Sequence, residues 1–526
     1  MGCWHRAGPS GLGRDDEVAT DASSSGAPTE GNGHQLGDLD LEAFRAAGHE
    51  VVDWIAEYLA RIEDYPVLSR ATPGSIRQRL PAHPPEKPEP LSRILDDFRQ
   101  VIVPGITHWN HPGFMAYFSS SGSMPGILGE LLIAALNVNA MLWRSSPAAT
   151  ELEETALDWL REMLGLPPGF DGIITDSASM SSFLAVATAR EAAQLPAREA
   201  GTGGHPDQPR LCVYASEEAH SSVQKATIAA GLGRDGFRAV PVDADFRMRC
   251  DSLASMITHD LAVGRRPACI VATVGTTSTT SIDPVAAIAD VCQSHGAWLH
   301  VDAAHAGVAA ILPEMRYVLD GCERADSIVV NPHKWLFIPL DCSALYTRRA
   351  DLFKRAFSLV PEYLRTAEGE SQAARDYMDY GVQLGRRFRA LKLWMVIRAF
   401  GVNGLRERIR EHIRIGQQFA SWVDADREFE RLAPVPLSTV CFRFCPETVR
   451  GQRDPSTARY VDDLNQALLD AVNDTGEVFL SHTKLRDLYA LRLQVSQLRT
   501  EERHVRRAWA LIRENAGRIA RERPVG

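Results

Sequence analysis

Lysine is scarce in this chain of 526 residues. Of 57 basic side chains only Lys87, Lys225, Lys334, Lys354, Lys392 and Lys484 are lysine; the rest are arginine. The bias reads as genome composition, but it makes a lysine in an unusual setting worth examining. Positive charge is also outnumbered, since 67 acidic residues give a formal net charge of −10. Phosphate backbones and anionic membranes attract concentrated positive charge, which excludes a general affinity for either. The local run Arg386-Arg387-Phe388-Arg389 does not overturn this. Cysteines are few and scattered, nine without a C-x-x-C pair, and read as reduced thiols. Long apolar runs are missing too: the longest, Gly126 to Leu142, contains Glu130, Asn137 and Asn139 and is too short for a bilayer. The start, MGCWHRAGPSGLGR, lacks the apolar core of a secretory signal, and Arg6 stands where myristoylation wants Ser or Thr. The expectation is a soluble, cytoplasmic protein.

What is present is ordinary globular composition, 45% hydrophobic and 24% charged. At about 150 residues per domain the length suggests three to four domains. Residues 1–37, rich in Gly, Ser and acid, read as a disordered tail. Residues 38–120 open with Leu41, Phe44, Val51, Val52, Ile55, Tyr58 and Leu59 at three- and four-residue steps, an amphipathic helix that must bury its stripe on something. A proline-rich connector follows at 81–90. Thr150-Glu-Leu-Glu forms a capping box for a helix that ends at Gly165. Between about 170 and 350 the runs GIIT, LCVYA, FRAVPV, ACIVATV, WLHVDA, DSIVV and SALYT alternate with Ala-rich helical segments. That alternation predicts an α/β fold with a mostly parallel central sheet, whose sites lie at the carboxyl ends of its strands. After residue 400 a helix, the strands STVCFRF and YALRLQV and the helix HVRRAWALIREN indicate a smaller α+β domain. The expected division is therefore 1–37, 38–120, 121–400 and 401–526.

Several strand ends carry chemistry. Ser327-Ile-Val-Val-Asn331-Pro-His333-Lys334-Trp335 runs an apolar strand into a turn bearing a lysine. An ammonium beside Trp335, Leu336 and Phe337 is costly to desolvate, which lowers its pKa and makes its amine nucleophilic, as a Schiff-base lysine requires. The plainer reading is a snorkelling surface lysine. Asp302 closes the strand WLHVD, where it could pair with a ring nitrogen or merely cap the next segment. Asp176-Ser177-Ala178-Ser179 passes from strand to helix and suits a phosphate, although most such turns are only N-caps. His220 opens a further helix and could stack on a ring or relay a proton; Thr276 and Thr277 add hydroxyls after ACIVATV.

Two motifs mislead. Gly231-Leu-Gly233-Arg-Asp-Gly236 matches a dinucleotide string but follows a helical segment and precedes a strand, the reverse of the fingerprint. His300, His305 and His333 lack the spacing of metal ligands. The remaining signals converge. An anion site, a stacking imidazole, a carboxylate and a nucleophilic lysine on one sheet are what pyridoxal phosphate requires.

DSAS, EEAHSSV, VATVGTTSTTSIDP, WLHVDAAHAG and VVNPHKW resemble the motifs of group II pyridoxal-phosphate-dependent decarboxylases, nearest the aromatic L-amino-acid decarboxylases. The likeness extends to GITHWNHPGFMAYF, SSPAATELE, PEYL and LGRRFRALKLW, nearly the whole chain after the tail. It implies the fold type I of PLP-dependent transferases and a homodimer whose N-terminal helices wrap the partner. By the resemblance Lys334 forms the Schiff base with the cofactor, Asp302 holds the pyridine nitrogen protonated and His220 stacks on the ring. Ser177, Ala178, Ser179 and Asn331 match phosphate positions, and Thr277 and His333 match further cofactor positions. Tyr363 matches the mobile-loop tyrosine that protonates Cα. Trp109, Tyr117, Phe118 and Ser120 match the substrate pocket. Related aldehyde synthases replace the tyrosine by phenylalanine or the histidine by asparagine, so Tyr363 with His220 favours simple decarboxylation to amine and CO2. An aldehyde synthase, a decarboxylase of a non-aromatic amino acid and an inactive binding homologue are the rival readings. His305 stands where animal members have tyrosine, Ser119 replaces a proline, and Asn139 and Met141 replace more apolar pocket residues.

Overall fold

A computed structural model describes residues 38–195, 197–202, 208–371, 374–452 and 454–524. The expected tail, 1–37, lies outside the described residues. By its contacts the chain divides into two units, one ending at Ile55 and the other beginning at Ala56. In the first, the Asp40 carboxylate accepts the N–H groups of Glu42 and Ala43 (2.9 and 3.1 Å) and caps the helix Leu41–Ala60. Its Leu41, Phe44, Val51 and Val52 are exposed.

In the second unit the seven expected α/β strands form one sheet: β1 (Asp171–Thr175), β2 (Arg210–Ser216), β3 (Phe237–Val240), β4 (Arg265–Thr273), β5 (Trp298–Asp302), β6 (Ser327–Val330) and β7 (Ser343–Thr347). Their order is β1-β7-β6-β5-β4-β2-β3, with β7 alone running against the others. Strands buried on both faces need apolar residues at every position rather than at alternate ones. Successive residues accordingly enter two different cores. Ile174, Tyr214 and Ile270 pack on one side, while Ile173, Val213, Cys269 and Val271 pack on the other.

The helix expected from Thr150 begins earlier, as Pro147–Leu164. Ser146 is its N-cap, accepting the Ala149 N–H, and Pro147 sets the first helical φ, while Thr150 is buried within the first turn. The C-terminal stop is as expected, with Gly165 left-handed at φ 73°. The string Gly231–Gly236 lies between a helical turn and β3, not between strand and helix.

A second sheet, ordered β10-β11-β9-β8, joins β8 (Phe429–Arg431), β9 (Thr439–Phe444), β10 (Ser481–Leu485) and β11 (Leu488–Gln494), all antiparallel. The helices Pro455–Asp474 and Glu502–Glu522 share its core. A long helix, Ala390–Ala425, leads into it and kinks at Gly401 (φ 63°, ψ 164°), a conformation open essentially to glycine alone. No helix among the described residues is long and apolar enough to cross a membrane.

The LGRRF motif locks the chain beside β1. The Arg386 guanidinium donates to Glu153 (2.6 Å) and to the carbonyls of Ile174 (2.9 Å) and Ala140 (3.1 Å). Glu153 in turn accepts the Ile174 N–H at 2.8 Å. Removing one partner of such a pair strands a buried charge at about 3–5 kcal/mol. We expect Arg386→Met to lower unfolding stability by that amount, read as a shift in the urea midpoint.

Candidate active site

The parallel strands end on one side of the sheet, and the chemistry-bearing residues leave from there. They line a cavity of about 420 Å3. After β1, Ser177 caps the helix Ala178–Ala192 and accepts the Met180 N–H at 3.3 Å, while its hydroxyl donates to Asp176 at 2.8 Å. The start of that helix brings N–H groups without intrahelical acceptors and the positive end of its dipole to the cavity wall. After β6, Asn331 accepts the Ser343 hydroxyl at 2.7 Å, and His333 accepts the Cys342 N–H on Nδ1 at 2.8 Å. The His333 hydrogen therefore sits on Nε2. Burial, with Lys334 nearby, pushes this imidazole down to about 3, so it is a neutral donor. These groups make an anion site without a formal charge.

After β2, the His220 Nδ1 accepts the Ser222 N–H at 3.2 Å, which places its hydrogen on Nε2 as well. Burial lowers its pKa, Asp302 opposes the shift and Lys334 reinforces it. Thr277 comes from the loop after β4. Asp302 ends β5, and its Oδ1 accepts the Ala304 N–H at 3.1 Å. Lys334 lies on the short helix after β6, with its Nζ 5.3 Å from the Phe118 ring centroid. Its amine is pushed below the ordinary lysine value first by desolvation and further by Arg492, with Asp302 pulling the other way. Burial therefore leaves a larger neutral fraction than a surface lysine has.

The structure thus gathers Ser177, Ala178, Ser179, His220, Thr277, Asp302, Asn331, His333 and Lys334 around one cavity, together with Tyr117 and Phe118. It does not bring in the other three residues suggested by the resemblance. Trp109 is 41% exposed and packs on Phe114 and Tyr117, outside the cavity. Ser120 is not on its wall. Tyr363 is 78% exposed on the short helical turn Glu362–Leu364. Met141, taken as a pocket residue, instead packs with Leu142, Val360, Leu364 and Met378 at the base of the Tyr363 loop.

The small sheet supplies what sequence reading missed. Ser481, His482 and Thr483 of β10 and Arg492 of β11 complete the wall. Arg492 is only 4% exposed and has no carboxylate within ion-pair reach among the described residues. Its Nε donates to the Ser278 carbonyl (3.1 Å) and its Nη1 to the Tyr117 carbonyl (2.6 Å), and Nη2 has no acceptor among the described residues. The signal was an arginine in the middle of a largely apolar strand, YALRLQV.

A model of the pyridoxal-dependent decarboxylase conserved domain matches residues 73–445. The chain belongs to this family. It is 41% identical to a phenylacetaldehyde synthase of a Rosa hybrid cultivar, over 91% of this chain and 95% of that protein. It is 42% identical to a tryptophan decarboxylase of Camptotheca acuminata, over 92% and 96% of the two chains. Among solved structures, the tryptophan decarboxylase of Oryza sativa with PLP and tryptamine superposes with a TM-score of 0.88 at 37% identity, covering 92% of this chain and 100% of that one.

Pyridoxal phosphate is the cofactor of this decarboxylase, and the residues present fit it. The uncharged anion site suits the phosphate, Asp302 is an anionic partner for a ring nitrogen, and Lys334 is a desolvated amine for the aldehyde.

Buried neutral histidines also weaken the fold in acid. His300 and His412 are held down to about 4 and His333 to about 3, chiefly by burial, against 6.5 when unfolded. These folded values are depressed, so the stability they contribute is complete above pH 6.5 and is lost as pH falls toward 4. We expect the urea midpoint to decline as pH falls from 6.5 to 4, the three histidines outweighing the opposing Asp283 carboxyl, which burial pushes up to about 7; a midpoint unchanged across that window would refute this.

Proposed function

We propose that the chain decarboxylates an aromatic L-amino acid to its amine and CO2, acting as a cytosolic homodimer. The observation that carries this reading is the convergence of Lys334, Asp302, His220 and the phosphate-type turn on one cavity. Pyridoxal phosphate, when bound, supplies the electron-withdrawing ring that takes up the electrons left by departing CO2. The protein supplies the rest. Lys334 provides the amine that holds the cofactor aldehyde, Asp302 keeps the ring nitrogen protonated, and His220 covers a ring face. Arg492, whose Nη2 lacks an acceptor, takes the substrate carboxylate. Phe118 and Tyr117 offer aromatic walls to the side chain. Tyr363 delivers the proton to Cα. Since it stands outside its own cavity and exposed, its target is the cavity of a second copy.

The dimer reading has independent support. The helix Met124–Leu136 exposes Met124, Leu128, Leu131, Leu132 and Leu136, an apolar face at helical spacing. The eight described cysteines are free thiols, in keeping with a reducing compartment.

The likeness to an aldehyde synthase favours one rival, in which O2 is consumed and aldehyde, CO2, ammonia and hydrogen peroxide appear. Product analysis across the twenty amino acids separates the two. Amine with CO2 from an aromatic substrate is the expected result; aldehyde with peroxide as the main product overturns it. Lys334→Ala should remain colourless on incubation with pyridoxal phosphate, whereas the parent takes on a visible band. Tyr363→Phe should divert turnover toward aldehyde and ammonia, and an unchanged amine yield would remove Tyr363 from proton delivery. Charge-assisted hydrogen bonds contribute about 1.5–3 kcal/mol, so Arg492→Met should lower kcat/KM roughly ten- to a hundredfold while leaving cofactor binding in place.

A further inference from the structure

Three parallel rings stand beside Lys334, and the reaction proposed above gives the middle one no part. Phe118 stacks on His305 with centroids 3.9 Å apart and planes 16° apart. His305 stacks on Trp335 at 4.8 Å and 7°. The Trp335 indole N–H is fixed in turn by the Nδ1 of His412, 3.0 Å away on the helix Ala390–Ala425. The column therefore joins the segment carrying Phe118, the turn after β5 and the lysine turn itself. His305 stacks on Phe118, and the Lys334 amine and the Arg492 guanidinium also approach that ring, 5.3 and 4.7 Å from its centroid.

His305 is held by its faces rather than by its nitrogens. The Gln494 amide nitrogen touches the Val495 carbonyl, which can only accept, so this nitrogen is a donor and faces the His305 Nε2 as one, at a long 3.4 Å. The imidazole hydrogen is then on Nδ1, which is buried and has no hydrogen-bond partner among the described residues. Burial and the positive charges of Lys334 and Arg492 keep the ring well below its ordinary pKa, and so neutral.

We propose that His305 is a positioning residue: through its two stacked faces it holds Phe118 against the Lys334 amine and shields that amine from water. The proposal deepens the reading of Lys334 as the cofactor lysine and rests on it. Groups that face Lys334 are Asp302, Arg492, His220, His305 and His333. Of these only His305 changes in the test.

The test measures the Lys334 amine without the cofactor. The cofactor-free chain is acetylated competitively with acetic anhydride from pH 6 to 11, and mass spectrometry follows Lys334 against the exposed Lys87 and Lys484. Because the neutral amine is the reactive form, the midpoint of the profile reports its titration. In His305→Leu, which keeps volume but loses the plate, the midpoint should rise by about half a unit to one unit, a three- to tenfold drop in neutral amine below it. In His305→Phe, which keeps the plate and loses both nitrogens, it should stay within about 0.2 units of the parent. An unmoved midpoint in the Leu variant overturns the proposal. So does a Phe variant that shifts as far as Leu, because the nitrogens would then matter rather than the faces. Circular dichroism confirms folding; if the Leu variant does not fold, Phe118→Leu removes the same contact from the other end and is judged by the same upward shift. A parent chain that captures no pyridoxal phosphate sinks the functional reading instead, while the labelling midpoints still decide the role of His305.

Discussion

One ammonium group taken out of water sets the terms for the rest of the site. Desolvation pushes the Lys334 amine toward neutrality, and every neighbour either helps or resists. Asp302 resists, Arg492 helps, and the nearby imidazoles of His305 and His333 are held down first by their own burial and then by the positive charge of Lys334. This balance requires a dry, rigid pocket, which is why it sits where buried parallel strands end. A surface turn could carry the same residues but not the same low dielectric.

The anion site follows the same logic. An arginine cluster would bind phosphate more strongly but would add charge beside Lys334. The chain instead uses the start of the helix Ala178–Ala192, the Ser177 and Asn331 side chains and a His333 whose tautomer is fixed by the Cys342 N–H. Partial charges would hold the phosphate while the net charge around the amine stays under the control of Asp302 and Arg492. Arg492 reaches the cavity from the other sheet, and it does structural service on the way. Its Nη1 holds the Tyr117 carbonyl, and Ser481 accepts the Tyr117 N–H at 3.3 Å. Tyr117 has φ 50°, a left-handed backbone that costs an aromatic residue on the order of 1–3 kcal/mol and persists only where neighbours over-determine it. That turn directs the chain so that Phe118 enters the cavity.

Much of this was legible in the sequence because two signals coincide at strand ends. Runs such as ACIVATV and WLHVDA mark strands buried on both faces, and the polar residue that follows such a run falls at the carboxyl edge of the sheet. Lys334, Asp302, Ser177 and His220 were found that way. β8 and β10 were not, since FER and SHTKL carry too little apolar periodicity to register as strands, and Ser481–Thr483 were lost with β10. Arg492 was hidden for the opposite reason. Its strand was recognised, but which face the arginine served depended on the packing of two sheets, a non-local fact. The start of the helix Pro147–Leu164 shows a local conflict: a capping box at Thr150 competes with Ser146-Pro147, and the pre-set φ of proline places the start there.

Tyr363 shows where the information in one chain ends. The flanking Val360 and Leu364 are anchored against Leu142 and Met378, so the loop has a fixed base, yet the phenol projects outward. A loop held at both sides of an exposed aromatic residue is poorly placed to fold back into its own cavity, because its apolar anchors would have to be pulled out first. Leu359, 81% exposed beside it, points to the same conclusion. The apolar face of the helix Met124–Leu136 lies on the chain just before Asn139, whose side chain accepts the Arg386 N–H. On the proposed reading, the covering of that face and the delivery of Tyr363 would be two consequences of one association. In the dimer proposed above, a second copy that buried the helix face would also bring the proposed proton donor to a site other than its own.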